Sequence, residues 1–389
     1  MGLSLSWHER AEDLPAALWE QGFAAPLEGL WWYRALERSA LEDQFRFLYA
    51  LVRDGPGEPV AIAPAFVMDV ALEMFVPEPL APVLRPLLRW FPALARQRTL
   101  FVGSPCADRG WVGLRPGADR LAVLRCVQQG LQRKADELGA PMRVWKDFPQ
   151  DYAPELSTVA AEAGLFRVVS LPGSELALQG SRRAYLDSIP GSGGARLERN
   201  VRRSQREVEL DATVEQSPNA ATLDEVFGLF CQTYERATTR FERLGRSFFE
   251  QMAGAPASRF ILLRQREDRR LVAFMLCFDL GPTLVNKFIG FDYARPRDWR
   301  LYFRLWDHCV ELALALGKQR IESGQTGYAG KLVVGHRLLP LTNYCQHRQP
   351  LLRWLYRSVG ARVTWESLDP DLAGRACSAA APKNDAGRN

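Results

Sequence analysis

Ten residues near the carboxyl end, Glu322–Lys331, with the sequence ESGQTGYAGK, combine groups suited to acid–base and anion chemistry. An acid, an amide, a lysine and three glycines fall within this segment. Glycines permit left-handed dihedrals and a close approach of the backbone to a ligand. A carboxylate can take a proton from an attacking group, and an ammonium can stabilise a phosphate or a developing oxyanion. A solvated turn with two ordinary surface charges is the alternative interpretation.

The composition is that of a globular protein large enough for two domains. The chain has 389 residues, of which 47% are hydrophobic and 24% are charged, so it can bury substantial cores. Its net charge of +5 is mildly basic. That balance suits an anionic ligand or partner, but it is not the profile of a dedicated nucleic-acid binder.

Cysteine, histidine and apolar runs predict a soluble, cytoplasmic protein without a metal. The seven cysteines contain no CxxC spacing, and the four histidines form no HExxH pair. The first thirteen residues lack the apolar core of a signal peptide. The longest apolar run, Leu271–Phe278, is too short to span a bilayer.

Periodicity in the second half predicts the elements that position the Glu322–Lys331 segment. Thr222 and Glu225 are spaced as a capping box at the start of a helix, and Gly317 ends a long amphipathic helix. Lysine at position 287 falls within an apolar strand, where an edge or solvent-facing position is the simplest interpretation. The predicted strands are 210–215, 259–266, 270–279, 283–291, 318–321, 340–347 and 361–366, and the predicted helices are 222–237, 299–316 and 350–359.

The first half repeats this order of elements, which predicts an internal duplication of architecture. Strands are expected over 45–53, 59–72, 99–102, 111–114, 141–146 and 166–171, short helices over 77–98, and helices over 119–138 and 154–163. We therefore predict an α/β fold of two lobes, each a mostly antiparallel mixed sheet flanked by helices. The expected bounds are 1–180, 181–373 and a disordered tail over 374–389.

Residue-level resemblance to a known family is concentrated between residues 181 and 370. It rests on the segments Arg196–Arg206, Phe230–Leu244, Leu271–Phe274, Asn286–Tyr293 and Glu322–Lys331. These segments resemble the acyl-CoA N-acyltransferases of the GNAT superfamily, and in particular the tandem proteins called FemAB-like or BioF-type. Their Glu-x-Gly-x-x-Gly-x-x-Lys pattern is matched here with one additional residue before Lys331. The first half resembles the family only in its order of elements.

The resemblance implies transfer of an acyl group from a thioester to an amine. The donor would be acyl-CoA or the phosphopantetheine thioester of an acyl carrier protein, with no tightly bound cofactor, and the acceptor a small-molecule amine. The second lobe would be catalytic and the first a degenerate scaffold. One alternative is a Fem-type transferase that takes an aminoacyl group from tRNA to a cell-wall precursor or peptide. Another is a non-catalytic module that binds a carrier protein or lipid.

The donor loop departs from the family pattern. Ordinary members have a glycine-rich pyrophosphate loop before the long helix, whereas this chain has Tyr293–Trp299, without glycine. The positive end of the helix can still attract phosphate. Arg295, Arg297 and Arg300 would supply the missing contacts. The resemblance also assigns the segment's glycines to donor binding: Gly324, Gly327 and Gly330.

The resemblance implies roles for the remaining polar residues. Glu322 would be the general base or would bind the acceptor amine, Lys331 would bind phosphate or the oxyanion, and Gln325 would donate a hydrogen bond. The residues expected to border the acceptor or acyl chain are Asn286, Asp292, Tyr234, Arg240 and Phe241. Four arginines recur at helical spacing and predict docking of an acyl carrier protein, with a solvated helix face as the alternative: Arg196, Arg199, Arg203 and Arg206.

Overall fold

Two mixed sheets form the framework of the molecule. The computed structural model describes residues 2–71, 90, 96–237 and 242–375. In the first sheet the strand order is β1-β2-β3-β4-β6-β15-β7, and β5 pairs with β3 outside this order. Among the described residues, β4–β6 is the one parallel pair of this sheet. Its strands are β1 (Ser4–His8), β2 (Arg46–Arg53), β3 (Pro59–Ala71), β4 (Arg96–Val102), β5 (Gly113–Leu114), β6 (Met142–Pro149), β7 (Phe166–Val169) and β15 (Leu341–His347).

The second sheet repeats this plan with a single parallel pair among the described strands, β12–β13. Its order is β14-β8-β13-β12-β11-β10-β9. The strands are β8 (Gly173–Ala177), β9 (Leu210–Glu215), β10 (Ser258–Gln265), β11 (Leu271–Leu280), β12 (Thr283–Phe291), β13 (Arg320–Glu322) and β14 (Arg337–Leu339). The predicted α/β architecture of two mostly antiparallel mixed sheets is confirmed.

Strand membership does not follow a single cut in the chain. β8 precedes residue 181 but pairs with β13 and β14 in the second sheet. β15 follows residue 340 but lies between β6 and β7 in the first sheet. Two strands therefore lie across the predicted division at residue 180.

Helices cover both sheets and fill the space between them. The helices are α1 (Ala16–Gly22), α2 (Leu30–Glu37), α3 (Arg120–Glu137), α4 (Ala153–Ala163), α5 (Arg182–Ser188), α6 (Gly193–Glu207), α7 (Ala220–Arg236), α8 (Arg246–Ala253), α9 (Leu301–Ala315), α10 (Tyr328–Val333), α11 (Pro350–Gly360) and α12 (Trp365–Leu368). One core lies between the first sheet and α3 and α4. A second lies between the second sheet and α5, α6 and α9. The third joins the inner faces of both sheets through α1, α2, α7 and α8. No helix within the described ranges is long and apolar enough to cross a membrane.

Most predicted long elements are present, and several local predictions are wrong. Asn219, not the predicted pair Thr222 and Glu225, caps α7, because its side chain accepts from the Thr222 N–H. The predicted strand over 361–366 is instead a turn into α12, where Thr364 and Ser367 form a capping box. The predicted helices over 77–98 fall mostly outside the described residues, as do residues 376–389 of the predicted tail.

Candidate active site

The second sheet opens into a fork at the carboxyl end of β13. β12 and β13 pair over three positions, from Thr283 with Arg320 to Val285 with Glu322. β13 then ends, while β12 continues to Phe291 without a strand on that side in the described structure. Glu322 is thus the last strand residue before the two chains diverge. The amide Nδ2 of Asn286 spans the base of the fork, 3.4 Å from Ser323 Oγ.

A bulge in β12 places a lysine at this fork. The register with β11 shifts between Leu276 and Cys277, so Lys287 is the extra residue. Its ammonium bonds the carboxylates of Glu28 and Asp108, the latter at 3.0 Å, and lies 4.9 Å from the ring centre of Trp32. Burial disfavours the charge, but the two carboxylates outweigh it and raise the pKa of Lys287. The interpretation of Lys287 as a solvent-facing residue is wrong.

Glu322 is buried at the fork and paired across the lobes. Its Oε2 lies 2.9 Å from Arg109 Nη2, which belongs to the segment after β4 of the first sheet. Burial raises the pKa of Glu322, Arg109 opposes the shift, and the nearby carboxylates of Asp108, Glu175 and Glu28 add to it. A carboxyl with a raised pKa is a stronger base than an ordinary glutamate, as a proton acceptor near neutral pH requires.

A cavity of about 270 Å³ lies in front of Glu322, between the lobes. Its floor is the face of β13, β8 and β14, where Glu322, Glu175 and Arg337 stand side by side in register. Arg337 binds Glu175 through Nε at 2.6 Å. The residues that line the cavity are Asp108, Arg109, Pro149, Gln150, Asp151, Gly173, Ser174, Glu175, Arg320, Glu322, Gly324, Arg337, Leu339, Pro340 and Leu341.

The predicted lysine of the segment is buried away from this cavity. Lys331 Nζ donates to the carbonyl oxygens of Ser323, Gly324 and Gln325, the last two at 3.1 and 2.9 Å. Burial lowers the pKa of Lys331 to about 8, with Asp108 and Asp369 partly offsetting it. All three of its N–H donors are used inside the segment. The geometry therefore replaces the predicted contact with phosphate or an oxyanion by a structural role.

The other residues of the segment also shape it. Gln325 Nε2 donates to Leu171 O at 2.9 Å, so the predicted donor is engaged. Gly324 and Gly327 have left-handed φ values of 54° and 62°. A Cβ on Gly324 would lie 2.2 Å from Asp108 Oδ1, and one on Gly330 2.9 Å from the Tyr302 ring. These glycines permit close packing, and of the three only Gly324 lines the cavity.

A buried histidine closes the segment from behind. His336 Nδ1 lies 3.2 Å from Lys331 O, so it donates there, and Nε2 accepts from Ser323 Oγ at 3.0 Å. Burial and the nearby Lys331 lower the pKa of His336 to about 3. The neutral imidazole and Asn286 thus fix Ser323, so Asn286 supports the fork, and its predicted contact with substrate stays a prediction.

The predicted donor arginines surround the start of α9. Arg295 binds Asp292 at 2.9 Å and stacks on Trp299 at 5.3 Å. Arg300, with a φ of 47°, precedes α9, which has no side-chain cap, and its Nε is buried without a hydrogen-bond partner. Arg297 is exposed. Asp292, predicted to hold an acceptor, is instead buried and holds Arg295 and the Ala294 N–H.

Of the remaining predicted contacts, Tyr234 lines a different cavity from Glu322. Tyr234 lines a second cavity of about 300 Å³ near the end of α7, with Phe230, Cys231 and Leu244 among its neighbours. Arg240 and Phe241 lie outside the described residues. On α6 the four predicted arginines are exposed, and the helix buries Leu197, Val201 and Ser204 on the opposite side. None of the four has an ion-pair partner in the part of the chain that the structure describes: Arg196, Arg199, Arg203 and Arg206.

Sequence reasoning missed the first-lobe half of the site. Asp108 and Arg109 reach the fork from about two hundred residues away along the chain, and Glu28 comes from the segment before α2. No local pattern marks them. The only signal was Lys287 itself, because a lysine in an apolar strand requires a buried acid unless it faces solvent.

Comparison with known proteins agrees with this architecture. Residues 194–331 match the family described as Acetyltransferase (GNAT) domain. No curated protein sequence matches the chain significantly. Three solved structures have a similar fold. FemX has 12% identity and a TM-score of 0.59, covering 92% of this chain and 100% of that one. A tandem GNAT protein from the clavulanic acid biosynthesis pathway has 14% identity and a TM-score of 0.54, and the match covers 90% of this chain and 99% of that one. L-PGS from Bacillus licheniformis has 12% identity and a TM-score of 0.52, and the match covers 89% of this chain and 96% of that one.

Proposed function

We propose that this chain, whose residues 194–331 match the GNAT acetyltransferase domain and whose fold is similar to that of tandem GNAT proteins, transfers an acyl group from a thioester donor to an amine at the fork of β12 and β13. The buried Glu322 at that fork, beside a cavity between the lobes, is the observation that carries the proposal. Acyl-CoA is the proposed donor, a small-molecule amine the acceptor, and the first lobe a wall of the cleft.

The donor phosphates bind at the start of α9 in this proposal. A helix start without a side-chain cap presents N–H groups and a positive dipole end to an anion. Arg297 and the unpaired Nε of Arg300 add guanidinium donors where other members have glycine amides. The thioester then extends along the unpaired part of β12 toward Glu322, where backbone N–H groups of that strand stabilise the oxyanion.

Glu322 accepts a proton from the acceptor in the transfer step. The amine nitrogen attacks the thioester carbonyl, a C–N bond forms and the C–S bond breaks. The amine proton passes to Glu322, directly or through water, and a proton from solvent neutralises the departing thiolate. The products are an amide and a free thiol.

The direct test is release of thiol that depends on both substrates. The full-length protein is incubated with acyl-CoAs of increasing chain length and a pool of small amines, with detection of free CoA and of amide products by mass spectrometry. We expect thiol release only when both substrates are present. Donor binding without any thiol release would instead support a non-catalytic module.

One observation favours a second candidate, transfer of an aminoacyl group from tRNA. The outward face of α6 has four exposed arginines without ion-pair partners among the described residues, beside the start of α9. Such a face suits a polyanion, and it also suits an acidic acyl carrier protein as donor. Filter binding of charged tRNA separates these: only the tRNA candidate predicts an affinity that falls steeply with salt.

A further inference from the structure

The cavity in front of Glu322 contains a second charged group on the same strand. Successive side chains of a strand alternate between faces, and Ile321 lies fully buried in the core against α9. Arg320 and Glu322 therefore share the opposite face, and both line the cavity. Their Cα atoms are two strand residues apart, about 7 Å.

Among the charged residues that line the cavity, only Arg320 and Asp151 have no side-chain partner within the described residues. Arg109 pairs with Glu322, Arg337 with Glu175, and Asp108 with the lysine of the bulge. Asp151 is exposed at the rim, where water solvates its charge. Arg320 is half-buried, and no ion pair or side-chain hydrogen bond satisfies its guanidinium within the described residues. A guanidinium in that position is a ready partner for a carboxylate.

The rest of the wall limits what the cavity accepts. Leu339, Pro340 and Leu341 supply an apolar part of the lining beside the charged residues. A volume of about 270 Å³ is at the small end for ligand sites. That volume is sufficient for a group the size of an amino acid.

We infer that the acceptor is an amine that also carries a carboxylate, either a free amino acid or a short peptide whose amino and carboxyl termini are both free. This inference rests on the proposed function, because it identifies the cavity as the acceptor site. The amine lies against Glu322, the carboxylate against Arg320, and an apolar side chain against Leu339 and Leu341. Charge at both ends orients the amine toward the fork.

Equilibrium binding tests this without requiring turnover. Titration calorimetry is run on the full-length protein with each of the twenty amino acids, with their carboxamides, and with dipeptides of the preferred residue. At least one amino acid should bind about tenfold or more tightly than its carboxamide, since a charge-assisted pair to Arg320 is lost. Binding of the dipeptides as well as the free amino acid would show that the site also accepts a short peptide.

Substitutions link that preference to one side chain. Arg320→Met should weaken the amino acid to the level of its carboxamide and leave the carboxamide unchanged. Arg320→Lys should retain most of the preference, and Arg133→Met, at an exposed position of α3, should leave it intact. Equal binding of acid and carboxamide by the natural protein, no amino acid bound at all, or a preference that survives Arg320→Met would each overturn the inference.

The thiol-release assay separates this inference from the proposed function. Arg320-dependent binding of amino acids, with no thiol released from any acyl-CoA, would reject acyl transfer and retain the carboxylate site. Thiol release with amines that lack a carboxylate, and none with amino acids, would support acyl transfer and reject the carboxylate site.

Discussion

The two sheets contain the same parallel pair but differ beyond it: a segment of the first lobe folds over the first fork, whereas the second, called here the open fork, has no further strand beside β12 among the described residues. In the first sheet β4 and β6 pair over four positions, from Thr99 with Met142 to Val102 with Trp145. The segment 103–112 then folds back over the continuation of β6. Gly110 packs so closely there that a Cβ would lie 2.2 Å from Lys146 O, and its N–H donates to Asp147 O at 2.9 Å. That segment fills the first fork.

The same segment forms a wall of the second fork. Its Asp108 binds the lysine of the β12 bulge and packs on Gly324, and its Arg109 binds Glu322. The loop that covers the first fork thus also carries Arg109, the partner of Glu322 in the other lobe. The comparison teaches that one stretch of chain both fills the first fork and forms a wall of the second.

The helices that follow β4 and β12, α3 and α9, differ in how their N-termini are capped. Asp119 caps α3, with its carboxylate accepting from Ala122 N at 3.1 Å, so an anion would be repelled there. The start of α9 has no side-chain cap and is surrounded by arginines. Both differences support the proposal that the second lobe binds the donor.

The largest expected effect is at the open fork. Glu322→Gln keeps the shape of the side chain but removes the proton acceptor, so turnover should fall by about 10²–10³-fold. Steady-state thiol release and thermal unfolding are measured together, and the melting temperature should be nearly unchanged. Glu267→Gln, in the exposed turn between β10 and β11, is the matched control. Undiminished turnover would show that the open fork is not where the reaction occurs.

The next effect is on stability, through the lysine that holds the second fork. Lys331→Met leaves three buried carbonyl groups without their donor, so the free energy of unfolding should fall by about 3 kcal/mol. Urea unfolding measures it. Lys134→Met removes only a surface pair with Glu137 and should cost less than about 1 kcal/mol. If the Lys331→Met protein had natural stability but bound the donor weakly, the predicted contact of Lys331 with phosphate would be supported instead.

Opening the closed fork should also be destabilising. Gly110→Ala places a methyl group against Lys146 O and the Phe148 ring, neither of which has room to move, at a cost of about 2 kcal/mol. Turnover should fall as well, since the loop tip carries Arg109. Gly228→Ala, at an open position of α7, should be neutral or slightly stabilising. If Gly110→Ala is equally harmless, the first fork is not tightly filled.

Substitutions at the N-termini of α9 and α3 test which helix binds the donor. The double substitution Arg297→Met and Arg300→Met should raise the KM for acyl-CoA by about tenfold through lost phosphate contacts. Asp119→Ala should leave that KM unchanged and lower the free energy of unfolding by about 1 kcal/mol. An altered KM in Asp119→Ala would place donor binding in the wrong lobe.

The smallest expected effect is a shift in the pH profile. The proton acceptor must be ionised, so turnover rises with pH through the pKa of Glu322, which burial has already raised. Arg109→Met removes the cation that opposes this shift, so the acid limb should move to higher pH by about one unit. Arg109→Lys should restore most of the original position. A limb that moves to lower pH, or stays in place, would separate Arg109 from Glu322 in the reaction.

Sequence could predict what depends on local periodicity. The long amphipathic helix became α9, and Glu322 was singled out because a strand end followed by glycines exposes a carboxylate to a ligand. The role of Lys331 could not be foreseen, because the sequence shows the charge but not the three carbonyl groups turned toward it. Asp108 and Arg109 were missed since long-range contacts leave no local spacing. β15 was predicted as a strand, but no residue in it states which sheet it joins.

The exchange of β8 and β15 between the sheets makes the lobes inseparable as fragments. A polypeptide ending near residue 180 would lack the strand between β6 and β7, and it would expose β8 with no partner. The complementary fragment would lack β8, the strand that joins β13 to β14, and with it part of the floor of the cavity in front of Glu322. Each half therefore needs the other to complete its hydrogen bonding. Neither lobe can be lost or traded as an independent module without dismantling the site.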